Sequence, residues 1–371
     1  MQQMVNGIFF GKAFGIPLRL HYSWFIVFAL VTWALTVGYF PQVYPHWSTA
    51  TAIVAGLLTS LLFFGSVLAH ELAHSLVAQA AGIRIHSITL FIFGGVSQMA
   101  EEPGRPQVEF RMALAGPATS LVIGGTFLAL YFFLKDIPEF VRAMSFWLGW
   151  INLVLAGFNL IPGFPLDGGR VLRSLLWWHS GRLLSATRTA SNIGRGVGYL
   201  FIFIGIGLIF YGSWLNGLWL AFIGWFLENA AATSYRQLAL MDMLKGHTAS
   251  ELMTREWPAV PPHLTVQQLV HEQIFTSGRR SFPVVDADKI VGLVTIHDVK
   301  SVPKEQWTYK TVSDIMTPAS KLKSVEPNDD LGKVFRILTE HNVNQVPVIK
   351  NGNLLGMIAR DSLLTFISIR S

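Results

Sequence analysis

Up to about residue 235 the chain is built from apolar runs of roughly 20 residues, and no other feature limits its fold so tightly. At about 1.5 Å of rise per residue, a helical run of that length crosses the ~30 Å hydrocarbon layer of a bilayer. Six such spans can be drawn, over residues 22–40, 51–81, 109–134, 141–162, 194–212 and 215–233. The second is longer than a span requires. Past residue 235 charge returns and no run is long enough to cross. The overall balance agrees: 13% of residues are charged and 51% hydrophobic, where a soluble domain carries about 25% charge.

Lys and Arg in the short loops set orientation. With the N-terminus inside, Lys12, Arg19, Arg84, Arg105, Arg111, Arg182 and Arg236 are among many inner basic residues, and only Lys135 and Arg142 fall outside. The loops "PQVYPHWS" and "YGSWLNG" carry none. This places the N-terminus and the C-terminal region in the cytoplasm, in a multi-pass protein of a prokaryotic plasma membrane. The first residues, "MQQMVNGIFFGKAFGIPLRLHYS", lack the ordered regions of a cleavable signal peptide. The net charge of +6 is then mainly a topology signal and gives no reason to expect nucleic acid. There is no cysteine, so disulfides and thiolate metal sites are excluded.

The last third is a repeat. "SELMTRE" (250–256) and "SDIMTPA" (313–319) each precede an apolar helical pattern and a strand pair, "FPVVDADKIVGLVTIHDV" (282–299) and "VPVIKNGNLLGMIARDSL" (346–363). Each half reads as a small α/β unit, and a tandem pair implies mutual packing. The pair resembles cystathionine-β-synthase-type (CBS) domains, which implies an adenine nucleotide (ATP, ADP or AMP) in the cleft and a homodimer formed through the domains. The family pattern G-h-x-T-x-x-D falls on Gly292, Thr295 and Asp298; the second repeat departs, with Ala359 after Gly356 and with Asp361 one position early. Thr295 and Asp298 are equally the residues that cap a helix N-terminus. The expected divisions are 1–235 for the membrane domain, 236–249 for a linker, 250–307 for the first CBS domain and 308–371 for the second.

Within the second span lies "SVLAHELAHSLVAQAAG" (66–82). His70 and His74 share one helix face at a spacing that lets two imidazoles hold one zinc ion, with Glu71 beside them as a general base. Counted from Gly82, His74 is roughly 12 Å deep. Ionisable groups at that depth are costly and face polar partners. A catalytic zinc needs a third protein ligand. Asp167, in "FNLIPGFPLDGGRVLR" (158–173), is the only carboxylate between Glu139 and Glu228. Pro162 and Pro165 break the fourth span before it, and Gly168 and Gly169 permit a tight turn that aims it inward.

HELAH followed by "NLIPGFPLDGG" resembles the site-2 protease family of intramembrane zinc metalloproteases, whose pattern is HExxH and then NxxPxxPLDGG. The resemblance implies zinc on His70, His74 and Asp167, Glu71 as general base, and Asn159 holding the substrate or the developing oxyanion; an asparagine there also caps backbone groups. It implies cleavage in or near the transmembrane segment of single-span membrane proteins. The fold class is thus an α-helical polytopic domain of about six transmembrane helices with a short membrane-associated β segment, plus an α/β tandem CBS domain. The β segment is "IRIHSITLFIFGGVSQMA" (83–100), rich in β-branched and aromatic residues. It offers an edge for strand addition by an unwound substrate, with Gly94 and Gly95 allowing close approach; the alternative is a re-entrant loop that seals the cavity. "ALAGPATS" (113–120) reads as a helix-packing face. A metal or anion transporter controlled by CBS domains is the rival reading, although the membrane half lacks the internal duplication common in transporters.

Overall fold

The computed structural model describes residues 7–92, 94–134, 136–287 and 289–370. The chain forms two compact units, Met1–Gln237 and Leu238–Ser371, dividing two residues from the expected boundary. Lys135, one of the two basic residues expected on the outer side, lies outside the described residues.

Among the described residues, the first unit holds five helices long and apolar enough to cross a membrane: α1 (Tyr22–Val43), α2 (Thr49–Ala80), α3 (Pro106–Phe133), α4 (Glu139–Asn159) and, after the shorter α5 (Asp167–Ser180), α6 (Leu183–Phe210). The sixth expected span exists as the helix α7 (Trp214–Leu244), but Asn216, Glu228 and Asn229 dilute its apolar character and it is not among the five. Leu121, Val122, Phe203 and Phe210 project outward, as lipid-facing side chains do. Inside, Leu35, Phe40, Ala52, Ala55, Ala143 and Met144 pack α1, α2 and α4 together near one end. Ser48 caps α2 by accepting from the Thr51 N–H.

The β segment is larger than the sequence suggests. Ile8–Ala13 (β1) and Ile16–Leu20 (β2) form a hairpin that joins Ile85–Phe91 (β3) and Gly94–Met99 (β4) in one sheet of order β1-β2-β3-β4. β2 runs parallel to β3, with Leu18 opposite Ile88, and β3 is antiparallel to β4. Ile16, Leu18 and Ile88 form a small core against Leu68 and Leu72 of α2, so the sheet is docked beside the HELAH turn. β4 is its edge.

In the second unit β5 (Ser281–Asp286) pairs with β6 (Lys289–Thr295), which also pairs with β7 (Thr317–Pro318), and β8 (Gln345–Lys350) pairs with β9 (Asn353–Ala359). Both hairpins fall where the repeat placed them; Asn351 and Gly352 adopt positive φ in the second turn, as a tight hairpin requires. The two cores are interwoven. The helix Ala249–Leu252, which opens the first repeat, lies in the core of the second: Ala249 N–H donates to the Asp329 carbonyl at 2.8 Å, and Ala249, Leu252 and Met253 pack with Leu331, Val346 and Ile358. Reciprocally, Val312, Ile315 and Met316 pack with Val266, Phe282 and Val294 of the first.

Candidate metal centre

α2 carries His70, Glu71 and His74, and both histidines are buried, at 3% and 7% exposure. Their rings lie edge to face with centroids 4.9 Å apart, as the i, i+4 spacing demands. Asp167 begins α5, directly after the irregular segment 160–166. Its Oδ2 lies 3.1 Å from His70 Nε2 and 3.2 Å from His74 Nε2. The three donor atoms fall within 4.8 Å of one another.

The far nitrogens are also held. His74 Nδ1 lies 2.6 Å from the Met112 carbonyl oxygen, which can only accept, so Nδ1 carries the proton and Nε2 presents its lone pair inward. His70 Nδ1 lies 2.9 Å from Ser120 Oγ, a partner compatible with the same tautomer. Two inward lone pairs facing a carboxylate repel unless a proton or cation sits among them. The donor set therefore fits a divalent ion of the zinc type, with outer partners fixing each imidazole.

α3 supplies those partners and the room. A Cβ on Gly116 would lie 2.2 Å from His74 Nε2 and 2.5 Å from His70 Nε2, so only glycine fits where the helix passes the imidazoles. One residue later Pro117 has no N–H for the Ala113 carbonyl, which interrupts the helical ladder beside the carbonyl that takes His74. The packing-face reading of 113–120 is thus incomplete: Gly116 and Ser120 of that stretch contact the centre. The signal was available as small and hydroxylated residues four apart.

Gly168 and Gly169 differ from expectation in how they act. Both are helical, in the first turn of α5; a Cβ on Gly168 would meet the Leu160 carbonyl at 2.3 Å, and one on Gly169 the backbone of Gly163 at 2.3 Å. What they permit is close packing of segment 160–164 on α5. Gly95 similarly makes room for Glu71, whose Cγ would be 2.3 Å from an added Cβ, while Gly94 has φ +123° and open space beside it. Asn159 ends α4, and its Nδ2 donates to the Leu155 carbonyl at 3.0 Å.

These groups open on a cavity of about 560 Å³ lined by His70, Glu71, His74, Asn159 and Asp167, by Gly94 to Ser97 of β4, and by apolar side chains of α7 such as Trp219 and Phe222. The edge strand therefore borders the centre. In the second unit, Thr295 and Asp361 line a separate cleft of about 1020 Å³ with Arg279, Arg280, Lys323 and Arg360. Asp298 is engaged as a helix cap: its Oδ2 accepts from Thr295 N at 2.8 Å and Thr295 Oγ1 at 2.7 Å.

Fold and donor set together describe a polytopic helical protein with a buried His70–His74–Asp167 cluster, of a kind that fits a divalent cation, beside a β edge. Comparison with known proteins gives the family. The sequence profile of peptidase family M50 matches residues 58–141 and 135–205, and that of the CBS domain matches 249–305 and 312–369. A Synechocystis sp. protein named "Putative zinc metalloprotease" is 37% identical over 98% of this chain and 96% of its own. A zinc metalloprotease of Methanocaldococcus jannaschii is 31% identical over 96% and 95%. The solved site-2 protease of that organism is 31% identical over 61% of this chain and 94% of its own, at a TM-score of 0.44. The chain belongs to the site-2 protease family, peptidase family M50, with a tandem CBS pair attached. It is accordingly a zinc metallopeptidase of a membrane-protein family, which displaces the transporter reading.

Proposed function

We propose that this metallopeptidase cleaves single-span membrane proteins in or near their transmembrane segments, with zinc held by His70, His74 and Asp167. The observation that carries the reading is the convergence of two inward-facing imidazole nitrogens and one carboxylate oxygen on a cavity bordered by an edge strand. Zinc supplies Lewis acidity there, polarising the scissile carbonyl and bringing the pKa of water toward ~7. Glu71 then accepts the proton of the attacking water at its carboxylate and delivers it to the leaving amine. Gly95 keeps the space that the Glu71 side chain occupies.

A helical substrate hides its peptide bonds and must be unwound locally. The free side of β4 replaces the lost main-chain hydrogen bonds by strand addition, with Gly94 leaving open space for the incoming backbone. Asn159, on the cavity wall, has a second amide hydrogen for the substrate carbonyl while the first satisfies the Leu155 carbonyl. The inner bias of basic residues supports a cytoplasmic N-terminus and CBS pair.

The basic cleft supports adenine-nucleotide binding by the CBS pair and control of cleavage through it, with Thr295 and Asp361 on the wall and Asp298 acting through the Thr295 cap. Dimerisation through the CBS pair belongs to the same proposal. The deciding experiment is zinc content and cleavage of a single-span reporter by purified wild type and Glu71→Gln. Zinc in both with cleavage only by wild type is expected. Cleavage by Glu71→Gln overturns the general-base role. Titrating the full-length protein with ATP, ADP and AMP tests the cleft, and the absence of binding by all three removes nucleotide control.

A further inference from the structure

Glu109 is fully buried in the first turn of α3, and Arg173 is 5% exposed on α5. Arg173 Nε donates to Glu109 Oε1 at 2.7 Å and Nη2 donates to the same oxygen. Arg170 Nε lies 3.8 Å from that oxygen as well. Arg173 also places its guanidinium 5.0 Å from the centroid of the Phe164 ring, in the irregular segment that delivers Asp167. One guanidinium thus touches both the segment before Asp167 and a fixed acid on α3.

Two spacings give the pair its meaning. On α5, Asp167, Arg170 and Arg173 recur every three residues and so lie along one side of the helix. On α3, Glu109, Met112, Gly116 and Ser120 follow at intervals of three, four and four, a single stripe. Met112 and Ser120 orient His74 and His70, and Gly116 sets how closely α3 approaches them. Glu109 is the member of that stripe that reaches α5. α3 therefore holds both histidines directly and, through Glu109 and Arg173, the helix that Asp167 begins.

We propose that the Glu109–Arg173 pair is a positioning device for Asp167, setting its distance from the two imidazoles, and that Glu109 and Arg173 are positioning residues rather than catalytic ones. Attraction within a buried pair is largely offset by desolvation, so net stability alone does not account for it. What such a pair does is fix one geometry: a guanidinium that donates from both Nε and Nη2 to the single oxygen Oε1 cannot follow a sliding carboxylate without losing a bond. The inference rests on the reading that Asp167 ligates the metal.

The test uses full-length protein in detergent, stripped of metal and titrated with Co2+ alone, with zinc affinity taken by competition. Wild type is compared with Glu109→Gln, Arg173→Lys and Asp167→Ala. Glu102→Gln is the control, because Glu102 contacts Arg173 at 3.5 Å from an exposed position. Loss of an outer-shell partner costs 10 to 100-fold in metal affinity in comparable centres, roughly the loss expected for Glu109→Gln. Its Co2+ visible spectrum should move toward that of Asp167→Ala while near-ultraviolet circular dichroism stays that of wild type; Glu102→Gln should match wild type throughout. A folded Glu109→Gln with wild-type affinity and spectrum overturns the proposal. If Glu109→Gln does not fold, Arg173→Lys decides: it keeps the charge and loses the fork, so wild-type binding by it overturns the proposal, and weakened binding with a shifted spectrum supports it. Wild type that takes up no Co2+, or Asp167→Ala that binds it as wild type does, overturns the metal reading and this inference with it, whereas wild-type binding by Glu109→Gln and Arg173→Lys with loss in Asp167→Ala overturns the inference alone.

Discussion

Replacing Gly116 with alanine adds one methyl group at the point where α3 meets the centre. An ideal Cβ there lies 2.2 Å from His74 Nε2, 2.5 Å from His70 Nε2 and 2.6 Å from His74 Cε1, where ordinary contact begins at 3.4 Å. The imidazoles or the helix must therefore give way by about 1.2 Å at the nearest pair. Zinc sites tolerate departures of about 0.2 Å in ligand distance. Both histidines are also tied at Nδ1, to Met112 and Ser120 of α3 itself, so retreating from the methyl group strains those bonds. Overpacking of this kind costs about 1–3 kcal/mol. If that strain falls on the metal-bound geometry, zinc affinity drops on the order of 10- to 100-fold, since about 1.4 kcal/mol is tenfold. Gly125 of the same helix has nothing within 4 Å of an added Cβ, so Gly125→Ala controls for helix propensity, which favours alanine by up to about 1 kcal/mol. Zinc affinity by chelator competition, together with reporter cleavage, reads both variants. Gly116→Ala that binds zinc within threefold of wild type and cleaves normally would refute the claim that α3 is fitted against the imidazoles.

Ser120→Ala removes the Nδ1 partner of His70 and should weaken zinc about 10- to 100-fold without unfolding the protein, read by the same competition assay. Asp167→Ala should lose both zinc and cleavage; stoichiometric zinc retained after dialysis would remove Asp167 from the ligand set. In the CBS unit, the backbone N–H of Thr311, at 2.9 Å, and its hydroxyl hold the Asp314 carboxyl below the usual carboxylate range. A depressed folded pKa stabilises above the unfolded value of ~3.9, and that contribution is lost as pH falls through the folded value. Asp314→Ala should therefore lower the unfolding temperature of this unit near pH ~7, and the gap should narrow at about pH 3 or below, followed by scanning calorimetry.

The sequence made the clustered residues legible because each breaks a local expectation. His70, Glu71 and His74 interrupt an apolar run, and Asp167 follows two prolines where a span should continue. Their supports were hidden because they are ordinary residues made special by a neighbour distant in sequence. Ser120 is 50 residues from His70, and the Met112 oxygen is a backbone atom with no side-chain signature. Glu109 sits at the first turn of its helix, where an acid has a sufficient local explanation. The β1–β2 hairpin was missed because Phe9, Phe10 and Phe14 are exposed and blur the alternation that marks a half-buried strand. Both CBS hairpins were placed correctly from their turns, but repeat spacing alone does not say which copy of "SELMTRE" or "SDIMTPA" packs with which core.

That exchange of opening segments bears on how the C-terminal unit came into being and how it melts. Removing either repeat would strip a helix from the other, exposing Leu331, Val346 and Ile358 in one case and Val266, Phe282 and Val294 in the other. Each core is thus completed only by chain belonging to its sister, and a half-length ancestor would have had to borrow the missing piece from a second molecule. Packed in this way, the two halves are expected to lose structure in a single cooperative transition, and a cut within 306–311 divides the sequence without separating two self-sufficient cores.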